Sequence, residues 1–146
     1  MRGWQPRVVV FLCQWSLKSD REWAQRSQVP DGVRLIEVPC SGRLSPLLLL
    51  STFQRGADGI LVVGCEPGHC HYKEGNYLGR RKLATLKSFL DYVGLEEKRL
   101  QVAWLGESDR GRLSSLIDGV LRDVRELGPM QELAALEALP SSVCAS

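Results

Sequence analysis

Five cysteines and two histidines carry the soft-ligand chemistry of this 146-residue chain. Cys65, Cys70, His69 and His71 fall in one short stretch, VVGCEPGHCHYKEGNY (62–77), while Cys13, Cys40 and Cys144 stand singly. Thiols crowded this way can bind zinc, hold an iron–sulfur cluster or run dithiol redox chemistry; a structurally inert loop is the plain alternative. Structural zinc sites usually show two tight C-x2–4-C pairs, and here only Cys65 and Cys70 are close, as C-x4-C. A dithiol site needs C-x-x-C near a helix start, and the chain has none. A [2Fe–2S] cluster is held by four cysteines, and the C-x4-C step also occurs in plant-type ferredoxins. The spacing favours iron–sulfur over zinc and leaves zinc open. His69 and His71 flank Cys70 directly. As ligands they would imply a Rieske-like or mixed zinc site, but immediate neighbours of a ligand point away from it, so supporting or packing roles are expected.

Such ligands act together only if the fold gathers them. Residues 7–12 (RVVVFL), 33–38 (VRLIEV), 59–63 (GILVV) and 100–105 (LQVAWL) have the β-branched and aromatic content of strands. The first and third are almost continuously apolar, as strands covered on both faces should be. Helical patterns lie between them, at 17–28, 45–55, 76–93 and 109–127. Ser45 can cap the second, Pro46 suits its first position and Gly56 its C′ position. In the third, Leu78, Leu83, Leu86, Phe89, Leu90 and Val93 recur on a helical period, and Gly94 stops it. In the fourth, Leu113, Leu116, Ile117, Val120, Leu121 and Val124 share one face. A short amphipathic tail is expected at 130–139, ahead of a frayed end that holds Cys144, which is expected not to ligate.

Alternating strands and helices predict an α/β fold: one parallel sheet of about four strands with right-handed crossovers, order 2-1-3-4, flavodoxin-like. The division expected is an α/β domain over 1–129 and a helical tail over 130–146. Cys13 then follows strand 1, Cys40 follows strand 2 after Pro39, and Cys65 follows strand 3 after Gly64. All three fall on the carboxyl edge, where strands ~4.8 Å apart let side chains converge. Open α/β sheets bind ligands at that edge, at the switch in strand order, here between strands 1 and 3. Gly42, Gly64, Gly68 and Pro67 would let backbone N–H groups approach the sulfurs, which tunes potential. Arg43, close after Cys40, either offsets charge at the centre or lies at the surface.

The bulk properties exclude several classes. A net charge of +2 is too small to argue for nucleic-acid or membrane binding by field alone. The local run Gly79-Arg80-Arg81-Lys82 is expected to be a solvated helix face. The apolar runs fall far short of the ~20 residues of a membrane span, and MRGWQPRVVVFLCQW lacks a long apolar region and a small-residue cleavage site. A cytoplasmic, reducing setting is expected, where cysteines more often bind metal or react than form disulfides. A nucleotide- or flavin-binding domain would need a glycine-rich loop after strand 1, and CQWSLKSD has no glycine. No catalytic triad, acid/base carboxylate pair or P-loop is present.

VPCSGR (38–43), GADGILVVGCEPGHCHYKEGNY (56–77), Leu86-Lys87 and LGPM (127–130) together resemble the delta subunit family of methyl-viologen-reducing hydrogenase, over roughly residues 8–129. The resemblance implies a small subunit with one [2Fe–2S] cluster that relays single electrons. Its partners would be a donor or acceptor oxidoreductase, such as a hydrogenase or formate dehydrogenase, and a heterodisulfide reductase A-like flavoprotein that carries FAD and iron–sulfur centres. Related proteins serve flavin-based electron bifurcation. The family's opening resembles C-x-W-C, and here it is Cys13-Gln14-Trp15-Ser16, so Ser16 stands at a cysteine position. Cys13, Cys40, Cys65 and Cys70 still offer the four ligands the cluster type needs. A structural zinc module that bridges larger subunits, without redox chemistry, is the alternative.

Overall fold

The computed structural model describes residues 3–14, 29–65, 75–106 and 112–130. Four parallel strands, β1 (Val8–Cys13), β2 (Val33–Val38), β3 (Gly59–Cys65) and β4 (Leu100–Leu105), form one sheet in the order β2-β1-β3-β4. Helices α1 (Pro46–Gln54), α2 (Gly75–Tyr92) and α3 (Arg112–Leu127) flank it. The α/β fold and strand order expected from the pattern are those observed.

The central strands pack on both faces because alternate residues point opposite ways. Val8, Val10, Leu12, Leu61 and Val63 meet Leu113, Ile117, Val120, Leu121 and Val124 of α3. Phe11, Ile60 and Val62 meet Leu49 and Phe53 of α1 and Leu83, Leu86 and Leu90 of α2. Each such fully buried aliphatic contributes roughly 1.5–3 kcal/mol by its removal from water, so β1 and β3 are the stabilising spine.

Helix ends follow their local chemistry. Ser45 Oγ accepts the Leu48 N–H at 3.0 Å, and Pro46 takes the first helical position. Past α1, Gly56 adopts a φ of 109°, a left-handed value that a side chain would resist.

Several boundaries differ from expectation. β1 runs one residue later than 7–12 and ends on Cys13; β3 runs past 63 to Cys65. These cysteines therefore lie within the ladder, because parallel pairing continues for as long as both neighbours stay extended. Strand 2 is less buried than its composition implies: as an edge strand it leaves Ile36 43% exposed. In α2 the apolar period overstates the buried stripe. Leu83, Leu86 and Leu90 are buried, while Leu78, Phe89 and Val93 are about half exposed. The helix meets the sheet along one line, and residues flanking that line stay wet. The expected helix at 17–28 and the tail from 131 lie outside the described residues.

Opposite the cysteines, at the amino edge, a polar knot closes the domain. Arg99 is 1% exposed; its Nε donates to Glu96 Oε2 at 2.6 Å and its Nη1 to the Asp58 carbonyl oxygen at 3.0 Å. The Asp58 carboxylate accepts the Arg7 N–H at 2.9 Å and the Met130 N–H at 3.0 Å. The start of β1, the start of β3 and the segment after α3 are thus tied together.

Candidate metal centre

Cys13 is the last residue of β1 and Cys65 the last of β3, on adjacent strands. Both are buried, and their sulfurs lie 3.5 Å apart. That is far beyond the ~2.05 Å of a disulfide. Two thiolates on one tetrahedral metal, with metal–sulfur bonds of ~2.3 Å, stand ~3.8 Å apart. The donor chemistry and spacing of this pair therefore fit a shared tetrahedral metal, iron or zinc alike.

Cys40 reaches the same edge by another route. After β2 the chain passes Pro39, whose carbonyl oxygen is 4.0 Å from Cys13 Sγ. A 3-10 turn, Ser41–Arg43, then follows with Cys40 as its N-cap. Cys40 is buried, and its Sγ accepts the Gly42 N–H at 3.4 Å. Such a bond favours the thiolate, the form that binds metal. The turn is held from above by the first turns of α2. Lys82 Nζ donates to the Gly42 carbonyl oxygen at 2.9 Å, and a Cβ on Gly42 would stand 3.0 Å from Gly75 Cα. Lys82 thus braces the turn, a task its place in the basic run 79–82 did not suggest.

The structure brings Cys13 and Cys65 together and sets Cys40 on the same edge. Among the described residues, no three His, Cys, Asp or Glu side chains meet as a metal-binding group. Cys70, Ser16, Gly68, His69, His71 and Cys144 lie outside the described residues. Arg43 is exposed at the end of the turn. Gly64 is buried, and the space a side chain would need is filled by the Trp104 ring and by Ser41 Oγ. Arg80 covers the Trp104 ring at 5.8 Å.

Two residues of this wall were not singled out from sequence, Ser41 and Trp104. Ser41 sits inside VPCSGR, where a serine between cysteine and glycine looks like an ordinary turn residue. Its surroundings come from Gly64 and Gly79, distant in sequence.

A parallel α/β domain that gathers buried thiols at its topological switch places them where doubly wound sheets bind ligands. Residues 8–128 match the family "Methyl-viologen-reducing hydrogenase, delta subunit", and the chain belongs to that family. It is 35% identical over 129 residues to the iron-sulfur subunit of the vhc F420-non-reducing hydrogenase of Methanococcus voltae, covering 87% of this chain and 90% of that one. The iron-sulfur subunit of the F420-non-reducing hydrogenase of Archaeoglobus profundus is 34% identical over 130 residues, covering 88% and 95%. The A-type subunit of the ferredoxin:CoB-CoM heterodisulfide reductase of Methanosarcina mazei is 35% identical over 127 residues, which are 86% of this chain and 16% of that protein.

Proposed function

We propose that this chain is an electron-transfer subunit that holds one [2Fe–2S] cluster through Cys13, Cys40, Cys65 and Cys70. The observation that carries this is the 3.5 Å approach of Cys13 and Cys65 at the switch point of the sheet. Support also comes from relatives named as iron–sulfur subunits of hydrogenases. When bound, the cluster supplies one-electron redox chemistry. The chain's own residues set its surroundings. Burial of Cys13, Cys40 and Cys65 excludes water from the sulfurs, and the Gly42 N–H offsets charge on Cys40 Sγ.

The chain relays single electrons between a donor oxidoreductase, of hydrogenase or formate dehydrogenase type, and a heterodisulfide reductase A-like flavoprotein. The Methanosarcina mazei relative, named for that reductase, contains a stretch like this chain within a single, much longer polypeptide, which supports the pairing. The centre belongs to residues 1–129, with 130–146 as a tail, and the setting is the reducing cytoplasm. Among the described residues no helix is long and apolar enough to cross a membrane.

The test is metal and sulfide analysis of anaerobically purified protein. Iron and acid-labile sulfide near two each per chain are expected for this cluster type. Zinc without iron would sink the proposal in favour of a structural bridging module. Changing Cys13, Cys40, Cys65 or Cys70 singly to serine is expected to cut iron content, whereas Cys144→Ser leaves it unchanged.

A further inference from the structure

Ser41 is 1% exposed, and its hydroxyl oxygen has no hydrogen-bond partner among the described residues. Buried hydroxyls are nearly always paired, because losing water without a replacement partner costs free energy. A Cβ on Gly64 would stand 3.2 Å from Ser41 Oγ, and one on Gly79 would stand 3.0 Å from it. Those glycines leave room for the hydroxyl, whereas an alanine at 41 would leave no orphaned polar atom. The chain nonetheless keeps a proton donor there.

The residues around the donor lead to the thiols. Ser41 directly follows Cys40 in sequence. Gly64, against which its Oγ rests, directly precedes Cys65. Gly64 also lies beside Cys13, since Leu12 pairs with Val63 in the β1–β3 register. One buried hydroxyl thus sits among residues that adjoin the three cysteines in sequence or in register. The sulfurs of Cys13, Cys40 and Cys65 do not accept from it; the acceptor this place lacks among the described residues is what an inorganic sulfide of the centre would supply.

We infer that Ser41 is a positioning residue for the centre, its hydroxyl donating a hydrogen bond to a sulfur held there. The inference rests on the iron–sulfur reading above. A donor at this point stabilises the reduced centre, which carries one more negative charge, and so raises its reduction potential.

The test compares wild type, Ser41→Ala and Ser41→Thr as full chains purified anaerobically with iron. Midpoint potentials come from redox titration followed by electron paramagnetic resonance. Exchangeable protons coupled to the reduced centre come from pulsed resonance after transfer into D2O. Ser41→Ala is expected to lower the reduction equilibrium constant about tenfold, ~59 mV for a one-electron couple, and to lose one exchangeable-proton coupling. Ser41→Thr keeps the hydroxyl and is expected to keep the coupling. Loss of iron from Ser41→Ala but not from Ser41→Thr supports the inference; loss from both overturns it in favour of a purely steric role. Unchanged potential and coupling in iron-loaded Ser41→Ala overturn it while leaving the iron–sulfur reading intact. Wild-type protein that carries zinc and no iron overturns both.

Discussion

At the scale of single residues, the carboxyl edge is shaped by absent side chains as much as by sulfurs. Gly64 has no Cβ because the Trp104 ring occupies its place, with Cε3 only 2.7 Å from where a Cβ would stand. Gly64→Ala is expected to cost about 1–3 kcal/mol through overpacking, measured by chemical denaturation. It should also reduce iron loading, because relief requires the ends of β3 and β4 to part beside Cys65. Wild-type stability and iron content in this variant would show that Trp104 can swing clear. Cys13, Cys40 and Cys65 were legible because apolar runs locate strand ends to within a residue or two, and parallel ends share one edge. Ser41 was not legible, since its burial depends on Gly64 and Gly79, two glycines from other elements. Nor could sequence say which thiols touch: alternation sets Cys13 with Phe11 and Cys65 with Val63, on opposite faces, yet the sulfurs meet over the strand ends.

At the scale of elements, the strands were the more legible part. Near-continuous apolar runs mark β1 and β3 as central, and turn residues separate them from the helices. Helix α2 was less so. A 3.6-residue period gives the direction of an apolar face but not its width, so Leu78 and Phe89 counted equally with Leu83 and Leu86. The 3-10 turn Glu97–Arg99, which leads into β4, shows how a short element is held by charge. The hydrogen bond from Arg99 holds the Glu96 carboxyl below the usual glutamate value, against a smaller opposing effect of burial. A carboxylate whose value is lowered on folding contributes stability that is present above its unfolded value and lost as pH falls through the folded one. Unfolding free energy is therefore expected to decline below the ordinary glutamate range of ~4.3, and Glu96→Gln should flatten that decline. An equally steep acid limb in Glu96→Gln would assign the dependence to other carboxylates. Arg99→Ala leaves the buried Asp58 carbonyl oxygen without that donor and a void where a fully buried side chain stood, and about 2–4 kcal/mol of lost stability is expected.

At the scale of the whole molecule, the sheet has two unlike ends. The carboxyl edge carries the thiols; the amino edge carries the knot of Asp58, Arg99, Glu96 and Met130. Residues Asp58 and Cys65 are the two ends of one extended run, which spans roughly 20 Å. Asp58→Ala leaves the Arg7 and Met130 N–H groups without their acceptor. It is expected to destabilise the fold by about 2–4 kcal/mol while leaving the optical spectrum of the iron-loaded centre unchanged. A changed spectrum would mean that the two ends communicate through the strands.

The bond from the Met130 amide to Asp58 has one more consequence. It fixes the point where the backbone leaves the sheet, on the side remote from the sulfurs. Whatever is attached beyond residue 130 starts from the back of the molecule, like a leash tied behind it.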